Sequence, residues 1–69
     1  MKAQIEAKTV LRMANKAAKA LEEFRTKNPG GRMAQYVKVK GMIAFLKIVD
    51  RDGLVELTQD DYLALTQLP

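Results

Sequence analysis

Basic side chains recur at a helical spacing near the start of the chain. Four cations follow one another at steps of four, four and three residues: Lys8, Arg12, Lys16 and Lys19. Steps of three and four return to the same side of a helix. These cations would therefore form one basic surface that could follow the phosphates of a nucleic acid. An ordinary solvated helix face has the same pattern, so that alternative stays open.

Aromatic residues and lysines are interleaved further along the chain. The set consists of two rings and three cations: Tyr36, Lys38, Lys40, Phe45 and Lys47. Single-strand binders use rings to stack on bases and cations to meet phosphates. If the two rings share one sheet face, this set predicts a platform that binds nucleic acid or another partner.

A third set is apolar and belongs to the same predicted sheet face. Its members are Ile43, Phe45, Val49 and Leu54. An open apolar patch usually marks a protein interface, so these residues are a possible docking surface for a protein. The alternative is that the C-terminal segment folds back over them and makes them ordinary core.

The usual catalytic side chains are missing, since the sequence contains no His, Cys, Ser or Trp. The commonest general base and the commonest nucleophiles are therefore absent. Asp50 and Asp52 lack the further ligands of a calcium loop and are typical of a turn. Gly30-Gly31-Arg32 is too short for a phosphate-binding loop. We expect no enzyme activity, no metal, no cofactor and no small-molecule substrate.

The composition indicates one small domain, 1–69, with 48% hydrophobic and 29% charged residues. The net charge of +4 is uneven: residues 1–40 hold ten Lys/Arg against three Asp/Glu, and residues 41–69 hold two against five. A basic half favours an anionic partner, either nucleic acid or an acidic protein surface. The lack of Cys, of an apolar leader and of a membrane-length apolar run favours a cytoplasmic protein without membrane contact.

Strong helix formers dominate the first part of the chain and predict a helix over about 3–27. Its apolar stripe contains many alanines, and Asn28-Pro29 ends it. The next segments alternate in polarity and predict strands at about 33–39, 42–49 and 54–57. The predicted turns are Lys40-Gly41 and Asp50–Gly53. A competing interpretation makes Gly41 a bulge within one long strand.

The predicted register gives the sheet one uniformly apolar face, which would pack on the long helix, and places Tyr36 opposite Phe45 and Lys47 opposite Glu56. A helix over about 59–67 follows, with Thr58 as its cap and Asp61 at its positive end. The predicted fold class is α+β: a long helix on a three-stranded antiparallel meander, followed by a short helix (αβββα).

The sequence therefore predicts a small, basic, non-enzymatic binding module that contacts nucleic acid or a nucleic-acid-handling complex. The alternative is a protein-interaction module. It would be a homodimer, a regulatory subunit or an inhibitor of a larger machine, comparable in size and charge to small inhibitors from phages and mobile elements.

Overall fold

The computed structural model describes residues 2–69, which form three helices and a two-stranded antiparallel sheet. The elements in chain order are β1 (Lys2–Glu6), α1 (Ala7–Lys27), α2 (Met33–Leu46), β2 (Leu54–Thr58) and α3 (Gln59–Thr66). The order β-α-α-β-α contradicts the predicted αβββα meander. Within the described residues, the region of the first two predicted strands is largely helical.

Helix α2 replaces the predicted strands at 33–39 and 42–49, because a helical apolar pattern exists in the same residues. Tyr36, Val39, Ile43 and Leu46 follow one another at steps of three, four and three. This spacing places them on one side of a helix. Val39, Ile43 and Leu46 are buried and Tyr36 is half-buried, so this side of α2 contacts the core.

The alternating pattern failed because it counted residues that the helix leaves in solvent. Val37 is 62% exposed and Phe45 is 54% exposed. The Lys40-Gly41 turn is also wrong, since both residues lie inside α2. Glycine lowers helix propensity by about 1 kcal/mol relative to alanine, and packing against α1 overrides that local preference.

Helix α1 occupies most of the predicted 3–27 segment, but it begins at Ala7 because the preceding residues pair with β2. The ladder runs from Lys2 opposite Thr58 to Glu6 opposite Leu54. The backbone N–H of Ala7 extends it by donating to the Gly53 carbonyl at 2.8 Å. These cross-strand hydrogen bonds stabilise an extended N-terminal segment, although local propensity alone had placed it in the helix.

The segments around β2 follow the sequence more closely. Asp50–Gly53 forms a turn in which the Gly53 N–H donates to the Asp50 carbonyl at 3.0 Å. Thr58 caps α3, as predicted: its hydroxyl accepts from the Asp61 N–H, and the Asp61 carboxylate accepts from the Thr58 N–H. This reciprocal capping box satisfies two donors at the start of the helix.

The core lies where the alanine-rich side of α1 meets α2, the sheet and α3. On α1 the buried residues are Ala7, Val10, Ala14, Ala17, Ala18 and Leu21. Leu57 from β2 and Ala64 and Leu65 from α3 complete the core with the buried side of α2. Each large side chain buried here contributes about 1.5–3 kcal/mol, and the small alanines allow the neighbouring elements to approach closely.

We expect Gly41→Ala to stabilise the protein by about 0.5–1 kcal/mol, because alanine is the better residue in a helix interior. A Cβ atom at this position meets no other atom within 4 Å. Urea unfolding followed by circular dichroism would measure the change. Gly30→Ala is the matched control. Gly30 has φ +83°, so alanine at this position should lower the free energy of unfolding by about 1 kcal/mol. A destabilised Gly41→Ala would contradict the helical assignment.

Ala17→Leu tests the close approach at the core. Ala17 is fully buried at 0% exposure, and additional methyl groups in a packed core cost about 1–3 kcal/mol. Ala20→Leu on the same helix should cost less, since Ala20 is half-buried. Thermal and urea unfolding of both variants would measure the difference. Equal stabilities would contradict close packing around Ala17, because the core would then have room for a larger side chain.

Candidate binding surfaces

The basic residues predicted on α1 lie on its solvent side. Arg12, Lys16 and Lys19 are exposed. Residues five positions apart in a helix are about 140° apart around its axis, which places Arg12 nearly opposite the buried Ala17 and Lys16 nearly opposite the buried Leu21. We call Arg12, Lys16 and Lys19 the basic ridge. Its members point away from the core.

Lys8 differs from these three cations because its charge is engaged within the protein. Its Nζ lies 3.6 Å from a Glu6 carboxylate oxygen and 3.3 Å from one of Asp52. In the part of the chain that the structure describes, no ion pair reaches Arg12, Lys16 or Lys19. The basic ridge therefore keeps three free cations, while Lys8 connects α1 to the turn before β2.

The predicted aromatic platform does not exist, because Tyr36 and Phe45 lie on the same helix rather than on neighbouring strands. They are nine residues apart, which corresponds to about 900°, or two and a half turns. Their side chains therefore point to opposite sides of α2, and no single strand can stack on both rings. The predicted pairing of Lys47 with Glu56 is also wrong, since Lys47 caps the end of α2.

Tyr36 instead belongs to a cluster between α1 and α2. The Arg25 guanidinium lies 4.9 Å from the centre of its ring, and the Lys40 ammonium lies 6.0 Å away. Its hydroxyl donates to Glu22 at 3.3 Å, and Lys40 is 3.8 Å from the same Glu22 oxygen. Cation–π contacts of this kind contribute about 0.5–1 kcal/mol at exposed sites. Tyr36 and Lys40 therefore help to join two helices.

Lys38 connects α2 to α3, since its ammonium lies 3.1 Å from Asp61. Partial burial raises the pKa of Asp61, but the hydrogen bonds from the Thr58 N–H and from Lys38 outweigh it, and the pKa falls below its ordinary value of 3.8. The carboxylate therefore has two structural roles at once, as the second half of the capping box and as the partner of Lys38.

Two polar side chains that the sequence did not single out secure the other end of α3. Arg32 donates to the Gln67 carbonyl at 2.9 Å, and Gln35 donates to the Ala64 carbonyl at 2.9 Å. The last carbonyls of a helix have no partner within the helix. These contacts satisfy two of them, and nothing in the local sequence around Arg32 or Gln35 indicated so distant a partner.

The structure brings together three of the four residues of the predicted apolar interface. Phe45, Val49 and Leu54 line one cavity of about 450 Å³, whereas Ile43 is 8% exposed and belongs to the core. Sequence reasoning missed Val55, which lines the same cavity, and Ile48, which is 83% exposed. The exposure of Phe45 and Leu54, at 54% and 62%, makes this region an open apolar surface.

A second, smaller cavity of about 170 Å³ adjoins this surface. Both cavities are lined by Phe45, Val55 and Glu56, so they form one groove between β2 and the end of α2. We call it the β2 groove. A separate apolar depression of about 430 Å³ lies between Ala3, Leu57 and Tyr62, where β1 and β2 meet α3.

No known protein-family model, curated protein or solved structure matches this chain. Among residues 2–69, no group of three carboxylates comes together in an arrangement that could hold a metal ion. Across the same residues, no helix combines the length and the apolar character needed to cross a membrane.

Asp61→Asn should reduce stability at neutral pH and should matter less in acid. The pKa of Asp61 is lowered in the folded protein from its ordinary value of 3.8, so its charge stabilises the fold above that ordinary value, and this contribution is lost as the pH falls through the folded value. Urea unfolding of both proteins from neutral pH to about pH 2.5 would test this. A stability difference that stays constant below about pH 4 would contradict it.

Proposed function

We propose that the protein is a non-enzymatic module that binds nucleic acid through the basic ridge of α1. The observation that supports this function is the set of three exposed cations, opposite the core, that no ion pair within the described residues neutralises. Lys8, Lys38 and Lys40 instead meet carboxylates of the protein itself. The ridge therefore offers an external anion three uncompensated cations on one face of a helix.

The dimensions of the ridge suit a phosphate backbone. Lys19 stands seven positions after Arg12, which corresponds to about 10 Å along a helix. One strand of duplex DNA presents a phosphate about every 3.4 Å along the duplex axis, so a ridge that lies along this axis can meet about three of them. Neighbouring like charges disfavour the helix by a few tenths of a kcal/mol per pair, a cost that external phosphates would remove.

Contacts of this kind position the protein on a nucleic acid without reading its bases. The ridge offers cations and no aromatic ring for stacking, because Tyr36 is held between the helices. We therefore propose that the protein binds the nucleic-acid backbone with little sequence preference and acts in the cytoplasm. An acidic protein surface is the competing partner for the same three cations.

Salt dependence provides the test. If three phosphates are neutralised, log K should fall with log[salt] with a slope of about −2.7 for duplex DNA and about −2.1 for a single strand. Arg12→Ala should reduce the slope by about 0.7–0.9 and weaken binding at every salt concentration. Fluorescence anisotropy of a short labelled oligonucleotide, titrated at several salt concentrations, would measure both quantities.

Lys47→Ala is the matched control, because it removes one exposed cation from another element and changes the net charge equally. It should leave the slope almost unchanged. No binding at low salt, or equal losses for Arg12→Ala and Lys47→Ala, would contradict the proposal. Preference for polyglutamate over the oligonucleotide would assign the ridge to an acidic protein surface instead.

A second candidate function is protein interaction, which the β2 groove supports. Its open apolar surface includes three of the four residues that the sequence suggested as an interface: Phe45, Val49 and Leu54. This function uses no residue of the basic ridge, so the two candidates can be tested separately.

A further inference from the structure

The β2 groove runs beside a strand that has no neighbour on its outer edge. In the described residues, the sheet contains β1 and β2 alone, so one edge of β2 remains unpaired. Phe45 from α2 forms the opposite wall, and Val55 and Leu57 lie at the base beside it. A free strand edge next to an apolar groove is the arrangement that accepts an added strand.

The hydrogen-bonding groups at this edge follow from the ladder. Ala7 bonds to Gly53, and bonded pairs in an antiparallel ladder recur at every second residue. The pairs Ile5–Val55 and Ala3–Leu57 therefore bond across the sheet. The backbone N–H and C=O groups of Leu54 and Glu56 point outward. The N–H of Thr58 also points outward, in agreement with its bond to Asp61 at 3.2 Å.

The charge around the groove is negative although the whole chain is basic. Asp50, Glu56 and Asp61 line it, and Lys38 offsets Asp61. No ion pair within the described residues reaches Asp50 or Glu56. A basic segment therefore complements this surface, whereas an acidic one would be repelled.

We infer that the β2 groove binds an extended segment of a partner protein in which a Lys or Arg stands between two apolar residues. The segment adds to β2 as an antiparallel strand. This inference rests on the second candidate function, protein interaction, and is independent of nucleic-acid binding.

The alternation of side chains determines the expected sequence of that segment. A residue placed directly opposite Glu56 lies on the same face of the sheet as the Glu56 carboxylate, so a cation there forms a cross-strand ion pair. Its two neighbours point to the other face, towards Phe45 and Val55. The pattern is apolar–basic–apolar: backbone hydrogen bonds to Leu54 and Glu56 hold the segment on the edge, and the ion pair with Glu56 fixes its register.

A second copy of this chain is a poor occupant of the same edge. Antiparallel pairing of β2 with β2 of another copy, centred on the middle residue of the strand, would place the two Glu56 carboxylates directly opposite each other. Like charges directly opposite each other destabilise a sheet, and an isologous interface repeats every such contact. The charge therefore favours a different, basic partner.

Selection of peptides from a random displayed library on the immobilised protein would test the inference. The wild type should enrich apolar–basic–apolar peptides, and Glu56→Lys should enrich apolar–acidic–apolar peptides instead. A peptide selected on the wild type should bind Glu56→Lys at least about tenfold more weakly, which corresponds to about 1.4 kcal/mol. Arg12→Ala is the control and should leave the selection unchanged, because it lies on the basic ridge.

Backbone pairing has its own test on the selected peptide. N-methylation of its basic residue removes the N–H that donates to the Glu56 carbonyl, so affinity should fall at least tenfold, a threshold of about 1.4 kcal/mol. N-methylation of an adjacent apolar residue should have a smaller effect, since that N–H points away. Hydrogen exchange measured by NMR should show protection of the Leu54 and Glu56 amides when the peptide binds.

Three results would overturn the inference. The first is enrichment of peptides that lack the central cation. The second is peptides that bind wild type and Glu56→Lys equally, which would leave protein interaction standing but move it to another surface. The third is protection of the Leu54 and Glu56 amides without peptide, together with a dimeric mass. This result would show that a second copy of the chain occupies the outer edge of β2. Circular dichroism of each variant would verify folding.

Discussion

The close packing of α1 against α2 is the constraint on which the other elements depend. Ala14 and Ala17 are completely buried in the core that α1 shares with α2, and their small side chains allow the neighbouring elements to approach α1 closely. Larger residues at these positions would push the helices apart and open the core to water. The sheet and α3 then complete a core whose shape the two helices have already defined.

This packing also explains which parts of the fold the sequence could predict. The central part of α1, the turn at Asp50–Gly53 and the Thr58 cap are encoded by nearby residues, and each was accessible from local patterns. The segment 33–46 carries two patterns at once, because Val37 and Val39 suit an alternating strand while Val39, Ile43 and Leu46 suit a helix. The alanine face of α1 selects the helix, and local propensity contains no information about that partner.

The candidate surfaces also differ in how far the sequence could predict them. Arg12, Lys16 and Lys19 could be placed together from sequence, since one helix carries them all. The pairing of Tyr36 with Phe45 failed because it depended on a sheet that does not form. Val55 and Glu56 were not assigned to a groove because the groove depends on how β2 lies beside the end of α2, which carries Phe45. Sites built on one element are predictable from periodicity, whereas sites between elements require the fold.

The ladder between β1 and β2 has a consequence for how the protein folds. It joins Lys2–Glu6 to Leu54–Thr58, so it closes a loop that contains the whole helical hairpin. Closing so long a loop costs more conformational entropy than forming contacts within the hairpin. We therefore expect α1 and α2 to associate early and the two strands to pair late. Late, edge-exposed pairing belongs to the least protected part of a native structure. Brief separation of β1 from β2 would then release β2, the strand that borders the β2 groove, while the helices stay packed.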